Sequence, residues 1–84
     1  MTLTELFSSN KERLRIGVKQ TSKAIIEGLA VQVYIARDAD QHVTRHVVEL
    51  AEEQDVEIIY VENMKDLGKA CNIDVGAATA VITK

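Results

Sequence analysis

The sequence predicts an α/β domain, one sheet of four short strands between helices. Three observations predict it. Stretches with apolar residues at helical spacing alternate along the chain with short β-branched runs. The run Val31-Gln32-Val33-Tyr34-Ile35-Ala36 is apolar on both sides of its alternation, the pattern of a strand covered by helices on each face. At 84 residues and 46% hydrophobic, the chain has the length of one domain, 1–84, and enough apolar surface for a modest core.

The elements follow in order. Thr2-Leu3-Thr4-Glu5 has the form of a capping box, and the spacing after it predicts a first helix from Thr4 to Glu12 with Leu3, Leu6 and Phe7 turned inward. Leu14 to Gly17 reads as a short strand and Val18 to Glu27 as a second helix, with Gly28 ending it. Gly17 stands at the junction, where a residue without Cβ permits the turn. Arg37-Asp38-Ala39-Asp40 is the turn after the clearest strand, and Asp38 or Asp40 can cap the next helix. That helix spans Gln41 to Gln54, defined by Val43, Val47, Leu50 and Ala51. Glu57 to Val61 is a third strand. Asn63 caps a short helix built on Met64, Leu67, Gly68 and Cys71, with Lys65 and Lys69 outside. Asn72 to Ala78 is a Gly- and Ala-rich connection, and Thr79 to Thr83 is the last strand. The chain has no proline, repeat, linker or low-complexity stretch.

Catalytic equipment is sparse. Cys71 is the single cysteine, so neither an intramolecular disulfide nor a cysteine metal cluster can form, and its place on a core stripe makes it a small hydrophobe. His42 and His46 are spaced i,i+4 without further ligands, which favours a solvated helix face over a metal site. There is no nucleophile elbow, P-loop or dinucleotide fingerprint. We expect no enzyme, cofactor or metal. No long apolar run suggests a secretion signal or a membrane span, so a cytoplasmic location is expected. A monomer is expected as well.

Charge is unevenly spread. The net charge is -3, yet Lys11, Arg13, Arg15, Lys19 and Lys23 crowd the first part of the chain, and no Lys or Arg lies between Arg45 and Lys65. On the second helix Val18, Ser22, Ile25 and Leu29 share one face, and Lys19, Gln20, Lys23 and Glu27 fall opposite. Two lysines and an amide thus stand at a helix N-terminus, whose free N–H groups already favour phosphates or acceptor-rich base edges. The second unusual stretch is Ile73-Asp74-Val75-Gly76-Ala77-Ala78. It places apolar residues in a loop, followed by small ones that let a backbone or a ligand approach closely.

Three segments together give a resemblance. They are Ile16 to Ala24 (Ile-Gly-Val-Lys-Gln-Thr-Ser-Lys-Ala), Ile35 to Asp40 (Ile-Ala-Arg-Asp-Ala-Asp) and Leu67 to Ala78 (Leu-Gly-Lys-Ala-Cys-Asn-Ile-Asp-Val-Gly-Ala-Ala). In this order they resemble the kink-turn-binding L7Ae/L30e ribosomal protein family, and within it the small bacterial YbxF-like branch. The resemblance implies a three-layer α/β/α sandwich with a mixed four-stranded sheet and an antiparallel last strand. It implies binding to a kink-turn, an RNA helix bent at a bulge beside tandem sheared G·A pairs, in a ribosome or other ribonucleoprotein. The start of the second helix would read guanine edges, at Gly17, Val18, Lys19, Gln20 and Lys23. The loop Ile73, Asp74, Val75, Gly76 and Ala77 would cover the bulge nucleotide, and Arg37 and Asp38 would also belong to the RNA-binding residues. Lys19-Gln20 stands where archaeal members carry Asn-Glu. Lys donates to guanine acceptors and Gln donates and accepts, so guanine readout remains chemically available. The alternative is a protein–protein module of a ribonucleoprotein with RNA binding weak or lost.

Overall fold

A computed structural model describes residues 2–84. Strands β1 (Leu14–Ile16), β2 (Ala30–Ala36), β3 (Glu57–Val61) and β4 (Thr79–Thr83) form one sheet in the order β1-β4-β2-β3. β4 runs antiparallel to β1 and β2, while β2 and β3 are parallel, so the sheet is mixed. Helices α1 (Leu3–Ser9) and α4 (Met64–Ala70) cover one face, and α2 (Val18–Ile26) and α3 (Gln41–Glu53) the other. The result is the three-layer α/β/α sandwich expected.

Side-chain alternation on β2 explains the layering. Val33 and Ile35 face α2 and α3, where they pack with Ala24, Ile25, Val47, Ala51 and Val81. Tyr34 and Ala36 face the other way, onto Phe7, Leu67, Ala80 and Ile82. All four β2 residues are buried, as a strand covered on both faces requires. Each large side chain buried here contributes about 1.5–3 kcal/mol. Phe7 meets Tyr34 edge-to-face, with ring centroids 4.8 Å apart. The Tyr34 hydroxyl donates to Gln32 Oε1 at 2.6 Å, and Gln32 Nε2 donates to Glu57 Oε1 at 2.7 Å. The phenol's polar end is therefore satisfied rather than stranded in the core. Burial, aided by the Glu57 charge, raises the Tyr34 pKa above its ordinary value.

Caps fall where the residue types put them. Thr2 Oγ1 accepts from Glu5 N at 3.1 Å, Asp40 Oδ1 from His42 N at 2.9 Å, and Asn63 Oδ1 from Asp66 N at 2.7 Å. Strands β3 and β4 have the expected bounds, and β1 and β2 differ by one residue each.

Two expectations are corrected. The first helix stops at Ser9, not Glu12, and Lys11–Arg13 form a separate 3₁₀ turn. Asn10 turns its side chain back to donate to the Leu6 carbonyl at 2.8 Å, and Ser-Ser-Asn is a run that prefers caps to helix interiors. On α3, Val43 is 43% exposed and Thr44 is buried instead. The inner stripe is Thr44, Val47 and Ala51, so helical phase decides burial there against residue type.

Candidate nucleic-acid interface

The sheet order gathers three distant segments at one end. The C-terminal ends of β1, β2 and β3 lie beside the start of β4, which runs against them. Backbone hydrogen bonds tie this end together. Gly17 N donates to Thr79 O at 2.9 Å, Ala36 N to Ala78 O at 2.9 Å, and Arg37 N to Val61 O at 2.8 Å. Across the end, the order is therefore the start of α2, the loop before β4, the turn after β2 and the approach to α4. A buried bond from Thr79 Oγ1 to Thr21 Oγ1, 3.2 Å, also holds the first turn of α2 against β4.

Gly17 adopts φ +102°, ψ +160°, a conformation that L side chains rarely take, which lets β1 turn directly into α2. It also brings no capping side chain. Of the four α-helices described, α2 is the one whose N-cap makes no side-chain hydrogen bond. Its first N–H groups are left open, at the positive end of the helix dipole, with no acidic residue in the first turn. Lys19, Gln20 and Lys23 are all exposed beside them, whereas Val18 is half-buried against the core shared by α2 and α3.

The loop before β4 is built on the end of α4. Asn72 takes φ +61°, Asn72 N donates to Lys69 O at 3.0 Å and Ile73 N to Gly68 O at 3.1 Å. This is a Schellman ending, in which the second residue past the cap packs back on the helix. Ile73 does so, half-buried against the core that contains Leu67. Gly68 then faces the loop's own backbone. A Cβ there would land on the Val75 carbonyl oxygen and within 3.1 Å of Gly76 Cα. Ala77 N donates to Met64 O at 3.0 Å and its side chain is 4% exposed. Pinned at both ends, the loop projects Val75, which is 70% exposed, and leaves Asp74 and Gly76 at the surface.

The expected site residues therefore separate. Gly17, Lys19, Gln20, Lys23, Arg37, Asp74, Val75 and Gly76 share the end of the sheet with their surfaces at least partly open. Ile73 and Ala77 are turned into the fold. The small residues after Val75 let the loop close on α4, with a Cβ on Gly76 only 3.1 Å from Met64 Cβ. Asp38 is exposed but engaged: its Oδ1 accepts from Met64 N at 2.8 Å, bridging the β2 turn to α4. The turn's second acid, Asp40, caps α3. Gly68 has the pivotal packing role, and its sequence signal is a glycine inside a helix.

The charge separation also has a topological shape. Because α2 and α3 start at the same end, Lys19 and Lys23 sit near it, while Glu52 and Glu53 lie at the far end of α3. Lys11 and Arg13 depart from this pattern, since they precede β1 and fall at the far end too. His42 and His46 are exposed, and no group of three His, Cys, Asp or Glu among the described residues is gathered for a metal ion. Burial pushes the Cys71 thiol from 9.0 up to about 11, the setting of an inert core cysteine. Among the described residues no helix is long and apolar enough to cross a membrane.

Fold and site together define a three-layer α/β/α protein that presents an uncapped helix N-terminus and an apolar loop at one sheet end. A profile of the ribosomal protein L7Ae/L30e/S12e/Gadd45 family matches residues 3–84, and the chain belongs to that family. It is 51% identical over 65 residues to an RNA-binding protein of Caldanaerobacter subterraneus subsp. tengcongensis, covering 77% of this chain and 79% of that protein. It is 44% identical over 72 residues to the RNA-binding protein YbxF of Geobacillus stearothermophilus, covering 86% and 88%. Among solved structures, the Giardia lamblia 15.5kD RNA binding protein superposes with a TM-score of 0.87 at 29% identity, covering 98% of this chain and 68% of that one.

Proposed function

We propose that this chain binds RNA, and specifically a kink-turn, through the end of the sheet where α2 begins. The observation that carries the reading is the pairing of two open features across the Gly17–Thr79 hydrogen bond. One is the uncapped N-terminus of α2 with exposed Lys19, Gln20 and Lys23, and the other is the projecting Val75 loop. The relatives named as RNA-binding proteins supply the partner class.

The chemistry follows from what each feature can recognise. Regular A-form RNA hides its base edges in a deep, narrow groove, whereas a bend at a bulge opens it. The start of α2 enters the opened groove. Lys19 and Lys23 donate to guanine O6 and N7 or to phosphates, and Gln20 donates and accepts at a base edge. Val75 covers the unstacked bulge base, a contact between two apolar surfaces that are wet in the free partners. Arg37 flanks it with a guanidinium suited to phosphate. Specificity comes from shape and a few edges, so a net charge of -3 is compatible with binding. A ribosomal or other ribonucleoprotein setting fits such a partner.

The test is titration of the full chain with a kink-turn oligonucleotide, a straight duplex of equal length, and a kink-turn whose tandem G·A pairs are replaced by Watson–Crick pairs. The reading expects affinity for the first and loss of most of it for the other two. Equal binding to all three would overturn it.

A further inference from the structure

A groove of about 480 Å³ runs between α3 and β3, within the usual size range of small-ligand sites. It begins at Arg37, the last residue of the proposed RNA-facing end, and continues past His42 and Arg45. Its β3 wall is Tyr60. The chain has three aromatic residues. Phe7 and Tyr34 are buried, and Tyr60 is 47% exposed. The Arg37 guanidinium lies over the Tyr60 ring, 5.2 Å from its centroid. Arg45 and Glu49 pair at 3.4 Å on the outer face of α3, and both side chains are well exposed, so the pair is weak enough for Arg45 to turn to a phosphate.

Ile59 and Val61 pack toward α4 and Ile58 toward α3, which leaves Tyr60 at the rim of the α3 side. A half-exposed aromatic ring with one guanidinium over it and a second in the same groove is a combination that holds an unpaired nucleotide: the aromatic–guanidinium stack for the base, charge for the phosphate. The groove is also continuous with the RNA-facing end through Arg37. We propose that it takes one unpaired nucleotide flanking the kinked motif, its base on Tyr60 and its phosphate beside Arg45. This rests on the RNA reading above and extends its footprint from the end of the sheet along α3.

The test uses the full chain and two RNAs, a blunt kink-turn and the same kink-turn with short single-stranded extensions on its ends. The parent protein binds the extended RNA about tenfold more tightly, the weight of one base stacked on an aromatic ring. Tyr60→Ala abolishes that gain, so that the variant binds the extended and the blunt kink-turn equally. Tyr60→Phe keeps it, and Arg45→Gln reduces both the gain and its salt dependence. Melting curves confirm that each variant is folded. If the parent binds both RNAs equally, or Tyr60→Ala retains the gain, the nucleotide subsite is overturned while the kink-turn reading stands. Equal binding would leave the groove to a protein partner. If the parent binds neither RNA, the kink-turn reading fails and the subsite with it.

Discussion

Truncating Val75 separates a recognition role from a packing role by two measurements that move in opposite ways. Val75→Ala removes two methyl groups, worth about 1.6 kcal/mol together when fully buried. Val75 is 70% exposed, so only about three-tenths of that, roughly 0.5 kcal/mol, is at stake in folding. In a domain of this size the melting temperature then falls by about 2–4 °C. The remaining seven-tenths becomes buried only when a base covers the side chain, about 1.1 kcal/mol, a loss of about sixfold in RNA affinity. Val75→Asp costs considerably more, because it turns an unpaired carboxylate toward a phosphate-rich bulge. Leu67→Ala is the control. That side chain is fully buried, and its truncation costs about 2–5 kcal/mol of stability. The assay is a melting curve and a fluorescence-anisotropy titration for each variant. A melting temperature lowered as far as by Leu67→Ala, with RNA affinity unchanged, would exclude a recognition role for Val75 and return the loop to the core.

Other outcomes follow from the same geometry. Lys19→Ala and Gln20→Ala each weaken kink-turn binding by about 1–3 kcal/mol in titration, and both leave the melting temperature near the parent's, since neither side chain is buried. Gly68→Ala forces a Cβ onto the Val75 carbonyl. It lowers stability by about 1–3 kcal/mol in denaturant unfolding and weakens RNA binding through the displaced loop. The Cys71 thiol, raised from 9.0 to about 11, favours the protonated folded state. Its contribution is complete below the unfolded value and is lost as pH rises toward about 11, so the melting temperature falls over that window. Cys71→Ala shallows that decline, with Tyr34, also raised, supplying the remainder. An unchanged pH slope would contradict the assignment to Cys71.

The local parts of this fold were legible in the sequence because they are decided locally. Glu57-Ile58-Ile59-Tyr60-Val61 and Thr79-Ala80-Val81-Ile82-Thr83 are β-branched runs, and both are strands with the expected bounds. Asp40 and Asn63 cap helices because short polar side chains reach the free amides two or three residues on. Features set by distant partners were not legible. Asp38 caps the start of α4, 26 residues away, and no spacing rule points there. The small residues Gly76 and Ala77 leave room for a backbone or a ligand, and the residue types do not say that the neighbour on one side is Met64 of α4. The packing of Ile73 in a Schellman ending is visible only once Asn72 is known to be left-handed. For the candidate site, the helix start and Val75 could be read from residue types. Their adjacency needed the family resemblance, because it depends on β4 inserting between β1 and β2.

In the proposed mode of binding, the RNA meets one end of the sheet, where the start of α2 and the Val75 loop stand side by side. Backbone amide chemical shifts of the ¹⁵N-labelled chain, followed during titration with a kink-turn RNA, test this mode most directly. The large changes fall on Gly17 to Lys23, Arg37 and Asp74 to Gly76, while Ile26, Val31 and Asp55 at the opposite end stay in place. Changes concentrated at Ile26, Val31 and Asp55, with Lys19, Gln20 and Val75 unmoved, would contradict it.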